Sequence, residues 1–189
     1  MMRERLFYLP FDIDTKGIII GSMIVLGIDP GYAITGYGLV DYRSGRFKCL
    51  AYGTISTKPD MPFEKRLLRI SDELEQLIIQ WQPVSMAVEE LFFSRNTTTA
   101  IGAAQGRGVA ILSGARAGLQ VFEYTPMQVK LSVTGYGKAQ KQQVQQMVKV
   151  LLGLQVLPKP DDAADALAVA ICHAHSGNRT EALARGGYQ

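Results

Sequence analysis

The chain has 189 residues, 47% hydrophobic and 20% charged, a composition that suits a globular protein and excludes a wholly disordered chain. Its length fits one domain, since a single hydrophobic core usually holds about 100 to 200 residues. Lys and Arg exceed Asp and Glu by 20 to 17, a mild excess that permits a nucleic-acid partner without indicating one.

The cysteines and the N-terminal residues indicate where in the cell the protein is expected to act. Cys49 and Cys172 fit neither a disulfide framework nor the ligand spacing of a zinc site, so we expect a cytoplasmic location. Residues 1–22 lack the apolar core of a signal peptide. No apolar run approaches the roughly 20 residues of a membrane span, so no membrane partner is expected. We expect a flexible N-terminal extension over 1–22, a domain over 23–175 and a disordered tail over 176–189.

Hydrophobic periodicity predicts an alternation of strands and helices. Strands are predicted over residues 23–28, 37–42, 47–55, 84–88 and 120–124. Helices are predicted over residues 62–82, 97–117, 139–152 and 161–175, with a further helix starting at Pro126 and a loop over 132–138. This order predicts an α/β domain with a mixed sheet.

Acidic residues follow two of the predicted strands and open the last predicted helix. Asp29 follows the first strand, and the pair Glu89-Glu90 follows the fourth. Open α/β sheets place reactive groups at the carboxyl ends of their strands, so both positions are candidate site residues. The third acidic group consists of Asp161, Asp162 and Asp165. The helix dipole favours anions there, and a spacing of three places Asp162 and Asp165 on one side of the helix.

Carboxylates gathered in one cleft repel each other, and cations relieve that repulsion. Oxygen ligands of this kind suit Mg²⁺ or Mn²⁺. Two such ions about 4 Å apart can activate a water and neutralise a phosphodiester. The pattern therefore favours metal-dependent phosphodiester hydrolysis.

Several alternatives stay open on the pattern alone. The segment after the first strand can be an ordinary turn, and the glutamates can be a solvated strand end. Periodicity does not choose between Glu89 and Glu90. Asp161 can serve as a helix cap, or it can replace Asp162 as the partner of Asp165 at a spacing of four.

Several ordered segments point to one family. They are residues 24–31 (IVLGIDPG), 35–38 (TGYG), 88–93 (VEELFF), 106–108 (GRG), 124–126 (YTP) with 128–130 (QVK), and 160–168 (PDDAADALA). Together they resemble the bacterial crossover-junction endodeoxyribonucleases of the RuvC family, and the likeness covers about residues 23–175. It implies a ribonuclease-H-like fold, with a mixed five-stranded sheet flanked by helices. It also implies a homodimer that resolves four-way DNA junctions by paired, symmetric, Mg²⁺-dependent cuts in recombination and repair.

The resemblance also implies roles for particular residues. The implied metal ligands are Asp29, Glu89, Asp162 and Asp165, holding two Mg²⁺ ions for which Mn²⁺ can substitute. Asp161 is left as a cap. Phe92 falls where the family stacks an aromatic on a base, and Lys130 and Lys141 fall where basic residues contact the scissile region. The side chains expected to neutralise phosphate are Arg95, Arg107, Lys130, Lys138 and Lys141. The branch-migration proteins RuvA and RuvB are expected partners.

The helix predicted over 97–117 holds several glycines, which cost up to about 1 kcal/mol each relative to alanine inside a helix. Close packing against the sheet or a partner subunit would explain them. Three other functions compete with this interpretation. An ATP-binding domain of the actin and sugar-kinase type opens with a similar turn, but it needs two domains and a second phosphate loop. The others are trimming of structured RNA and junction binding without cutting.

Overall fold

The computed structural model describes residues 11–13, 19–21, 23–91 and 97–185. Its strands are β1 (Phe11–Ile13), β2 (Ile19–Gly21), β3 (Met23–Asp29), β4 (Ile34–Arg43), β5 (Arg46–Ser56), β6 (Ser85–Glu89) and β7 (Gln120–Tyr124). Its helices are α1 (Phe63–Trp81), α2 (Thr97–Arg116), α3 (Pro126–Thr134), α4 (Lys141–Leu151) and α5 (Asp161–Arg185). None of the helices in the described part of the chain has both the length and the apolar character needed to cross a membrane.

Five strands form one mixed sheet in the order β5-β4-β3-β6-β7. β3, β4 and β5 pair antiparallel, whereas β6 lies parallel to both β3 and β7. The predicted mixed five-stranded sheet is therefore confirmed. Because β3 and β6 are parallel neighbours, their carboxyl ends lie at the same edge of the sheet. Those ends carry Asp29 and Glu89.

Helices cover both faces of the sheet, and the alternation along β3 divides the core between them. Leu26 packs on one face with residues of α1 and α2, including Ile70 and Leu74. Val25 packs on the opposite face with α5, including Leu167. With a core on each side, β3 is a continuous apolar run rather than an alternating one.

Glycines in β3 and β4 let α5 approach the sheet closely. Gly27 and Gly38 are paired across these strands. A Cβ at Gly27 would overlap the backbone oxygen of Ala166, and one at Gly38 would lie 2.8 Å from the backbone nitrogen of Leu167. This close contact brings the first turns of α5 beside the end of β3, where Asp29 lies.

Two helices extend beyond their predicted limits. α3 continues to Thr134, inside the predicted loop over 132–138, and the Thr134 hydroxyl donates to the Lys130 carbonyl at 2.8 Å. Gly135 then ends the helix with φ 76°.

α5 ends at Arg185 rather than at 175. The backbone of α5 is thus helical through 176–185, within the tail that the sequence predicts to be disordered. Residues 186–189 lie outside the described part. Within the expected extension over 1–22, β1 and β2 pair antiparallel.

Candidate metal centre

Asp29 lies among other acids at the carboxyl edge of the sheet. Burial and the charges of its acidic neighbours raise its pKa to about 7. Those neighbours are, in order of effect, Glu89, Asp165 and Asp162. Two parallel strands and one helix therefore bring together four acids that are distant in sequence.

Glu89 and Asp165 share the same environment. Burial and the charge of Asp165 raise the pKa of Glu89 to about 7, although Lys130 and Lys141 oppose this increase. Burial also raises the pKa of Asp165. With pKa values of about 7, Asp29 and Glu89 are partly protonated near neutral pH unless cations compensate their charge.

Two of the acids open onto a cleft of about 180 Å³ formed by β6, α3, α4 and α5. Glu89 and Asp165 line it together with Lys130 from α3 and Lys141 from the start of α4. Glu90 does not line this cleft. The cleft thus combines carboxylates with two ammonium groups, as expected of a site that binds both a cation and a phosphate.

Lys141 is paired directly with two acids of α5. Its Nζ lies 2.8 Å from Oδ2 of Asp165 and 3.6 Å from Oδ2 of Asp161. Burial alone would lower the pKa of Lys141, but the hydrogen bond to Asp165 and the surrounding negative charges raise it overall. Lys141 is therefore held as a cation within the acidic cluster.

The donor set suits a divalent cation. Carboxylate oxygens are the ligands that Mg²⁺ and Mn²⁺ prefer. The pKa values of Asp29 and Glu89 are raised first by burial and then by neighbouring negative charges, and a cation relieves both effects. Within the described ranges, no three acidic, histidine or cysteine side chains are close enough together as they stand to enclose one ion.

The remaining candidate residues lie elsewhere. Lys138 lines a separate groove with Met127, Leu131 and Tyr136. Arg107 forms an ion pair with Glu123 on β7. Phe92 and Arg95 lie outside the described residues.

Sequence reasoning missed two contributions to this region. Arg66 is buried in α1, donates from Nε to Thr57 Oγ1 at 2.7 Å, and stacks its guanidinium 3.5 Å from the centre of the Tyr32 ring. It thereby braces the turn that follows Asp29. The sequence contained a signal for this role, because Arg66 has the helical spacing of the buried apolar residues at 70, 74 and 78. The second omission is the pairing of Asp161 with Lys141 and Lys159.

Similar structures define the class of protein. The yeast mitochondrial Holliday junction resolvase Ydc2 shares the fold, with a TM-score of 0.63 at 12% identity over 90% of this chain and 85% of that one. RuvC of T. thermophilus, solved in complex with a Holliday junction substrate, has a TM-score of 0.80 at 35% identity, covering 84% of this chain and 96% of that one. The fold is thus that of the ribonuclease-H-like nucleases.

Sequence comparisons identify the family within that class. The family model "Crossover junction endodeoxyribonuclease RuvC" matches residues 25–173. The RuvC protein of Alkaliphilus oremlandii is 57% identical over 159 residues, covering 84% of this chain and 97% of that protein. That of Desulfitobacterium hafniense is 58% identical over 156 residues, covering 82% and 94%. The chain belongs to the RuvC family of crossover junction endodeoxyribonucleases, metal-dependent nucleases of DNA recombination and repair.

Proposed function

We propose that this chain resolves four-way DNA junctions by paired, symmetric cuts at a magnesium site. The proposed ligands are Asp29, Glu89, Asp162 and Asp165, with two Mg²⁺ ions per site and Mn²⁺ able to substitute. The observation that carries the proposal is the convergence of Asp29, Glu89 and Asp165 at one edge of the sheet, where burial and mutual repulsion raise their pKa values. The RuvC structure with a bound Holliday junction supports the substrate class.

The protein's own groups prepare the cleft for a phosphodiester. When bound, the metal ions supply an activated water and neutralise charge on the phosphate. Lys130 and Lys141 line the same cleft as Glu89, so their ammonium groups can bind the scissile phosphate there. We assign them to substrate binding and charge neutralisation.

Other residues are proposed to hold DNA outside the cleft. Lys138 is exposed beside Tyr136, where it can neutralise phosphate at a salt-dependent gain in affinity. Phe92 is proposed to stack on an unpaired base near the crossover, a contact worth about 1–3 kcal/mol. Arg95 is proposed as a further phosphate contact.

We further propose that the chain acts as a homodimer through α2. Some of the helix's glycines are explained within the chain, because a Cβ at Gly102 would lie 2.9 Å from the Tyr32 ring and one at Gly114 would lie 2.8 Å from Met86 Sδ. Gly108 has nothing within 4 Å. It belongs to an exposed row of small and apolar residues, the α2 stripe: Ile101, Ala104, Gly108, Leu112 and Ala115.

The α2 stripe fits a two-fold helix contact. Ile101 is 65% exposed and Leu112 is 54% exposed. Apolar side chains at helical spacing favour packing against a second helix, and a two-fold dimer would present two sites to a nearly two-fold symmetric junction. We propose a cytoplasmic setting, with RuvA and RuvB delivering the junction.

A substrate panel tests the proposed function. The protein is incubated with a synthetic four-way junction, a linear duplex of the same sequence, structured RNA and ATP, each with and without Mg²⁺. We expect symmetric nicks in the junction only, and only with the metal. ATP turnover or RNA trimming without junction cutting would overturn the proposal.

A further inference from the structure

Asp161 is an acid outside the proposed metal site that shares a lysine with that site. Lys141 Nζ lies 3.6 Å from Oδ2 of Asp161 and 2.8 Å from Oδ2 of Asp165, a proposed ligand. The other oxygen of Asp161, Oδ1, lies 3.1 Å from Nζ of Lys159. The ammonium of Lys141 is therefore shared between Asp165, a proposed metal ligand, and Asp161, which is not one.

The pair between Lys141 and Asp165 competes with metal binding. Asp165 Oδ2 accepts a 2.8 Å hydrogen bond from the Lys141 ammonium, which therefore occupies part of the carboxylate that a cation would bind. The ammonium and a dication on the same carboxylate would also repel each other strongly. A divalent cation that binds Asp165 therefore weakens its pair with Lys141 and favours release of the lysine.

Asp161 is placed to receive the displaced lysine. The side chains of Lys141 and Asp161 are 52% and 45% exposed, so neither is locked by packing. The long, flexible lysine stem allows the 3.6 Å separation to shorten while the ammonium stays at the cleft.

We propose that Asp161 is a positioning residue, which takes over Lys141 when a divalent cation displaces it from Asp165 and keeps its ammonium beside the cleft. The inference rests on the proposed metal site. Asp161 thereby lowers the cost of opening the site to metal, because the displaced lysine keeps an acidic partner.

The substitution Asp161→Asn tests whether Asp161 acts by holding Lys141 or only by attracting the cation with its negative charge. Asparagine keeps the size of the side chain, but it is neutral and therefore a poor partner for an ammonium. Lys141 is then left with Asp165, so a divalent cation competes less well. A merely attractive negative charge at Asp161 would also aid cation binding, but that effect would not need Lys141.

A double-mutant cycle distinguishes the two roles. Mn²⁺ affinity is measured by calorimetry, without DNA, for the wild type, Asp161→Asn, Lys141→Met and the double variant. Thermal unfolding confirms that all four proteins are folded. We expect Asp161→Asn to weaken Mn²⁺ binding about two- to fivefold in the wild-type background, the scale of an exposed ion pair. In the Lys141→Met background the same change should have little effect.

Equal weakening in both backgrounds, or none in the wild type, would overturn the positioning role and leave the proposed function intact. Absence of Mn²⁺ binding by the wild type would instead overturn the proposed metal site, and this inference with it. The two failures are therefore distinguishable.

Discussion

The pKa values of single acidic residues depend on what the fold places around them. Asp29 and Glu89 each terminate a buried strand, and burial is the largest cause of the raised pKa of both. The neighbouring lysines lower the pKa of Glu89 without cancelling that increase. The energetic cost of keeping these carboxylates charged is what a bound cation would relieve.

Removing one charge from the cluster should separate cutting from binding. We expect Asp29→Asn or Glu89→Gln to reduce junction cutting below detection, while junction affinity changes little because it depends on phosphate contacts and shape. Gel-shift titration and nicking assays in Mg²⁺ measure the two properties. Glu90→Gln is the matched control and should cut normally. Parallel loss of binding and cutting would mean that the acids are structural.

His173 is a buried base that should make stability depend on pH. It is 3% exposed, its Nδ1 lies 2.7 Å from the Tyr124 hydroxyl, and burial lowers its pKa from 6.5 to about 4. The unfolded chain therefore binds the proton first as the pH falls. The stability that depends on neutral His173 is fully present above pH 6.5 and is lost as the pH falls from 6.5 to 4.

The substitution His173→Phe isolates the contribution of His173 to stability. The buried carboxylates titrate in the same pH range, but their raised pKa values change stability in the opposite direction. We expect the wild type to lose on the order of 3 kcal/mol more than His173→Phe between pH 6.5 and 4. Urea unfolding at several pH values measures the difference. Parallel curves for the two proteins would mean that His173 is not held neutral by burial.

At the scale of elements, the contact of α5 with β3 decides where the acids meet. Gly27 lies beneath Ala166 and Ala170, so a methyl group there has no room. Since Asp162 and Asp165 are carried by the first turns of α5, a displaced helix also displaces two proposed ligands.

The substitution Gly27→Ala should therefore affect both stability and the site. We expect a loss of about 1–3 kcal/mol in the free energy of unfolding, the usual cost of overpacking. Mn²⁺ affinity of the folded variant should also fall. Denaturant unfolding and calorimetry test this, and an unchanged midpoint would show that the helix can shift freely.

The α2 stripe leads to a prediction about assembly. Leu112→Glu places a charge in the middle of the exposed row and should convert a dimer to a monomer, because burying an unpaired charge is costly. Analytical ultracentrifugation measures the mass. Leu68→Glu on α1 is the matched control, since Leu68 is 51% exposed outside the stripe. An unchanged mass for Leu112→Glu would exclude α2 as the interface.

At the scale of the whole molecule, the family match begins at residue 25, and the sheet that carries the site begins at Met23. A chain that lacks residues 1–22 should therefore keep its junction-cutting rate and its unfolding temperature. Nicking assays and thermal unfolding of the shortened chain test this. A drop in either would assign a structural role to the N-terminal segment.

The sequence alone determined the elements and the candidate acids. Strong periodicity and clear terminators placed the five strands of the central sheet within a few residues, because both signals are local. They did not predict β1 and β2 or the end of α5. The positions of Asp29 and Glu89 at strand ends were equally legible, since open sheets use such ends for chemistry. The resemblance selected Glu89 over Glu90, and the structure places only Glu89 at the cleft.

Only the tertiary structure decided how these pieces meet. The approach of α5 through Gly27 and Gly38, the burial of Arg66, and the sharing of Lys141 between Asp161 and Asp165 all join residues that are far apart in the chain. Periodicity reports which face of an element is buried, but not what lies against it. Burial by distant elements sets the pKa values of the acids, so their electrostatics arise only when the chain is folded.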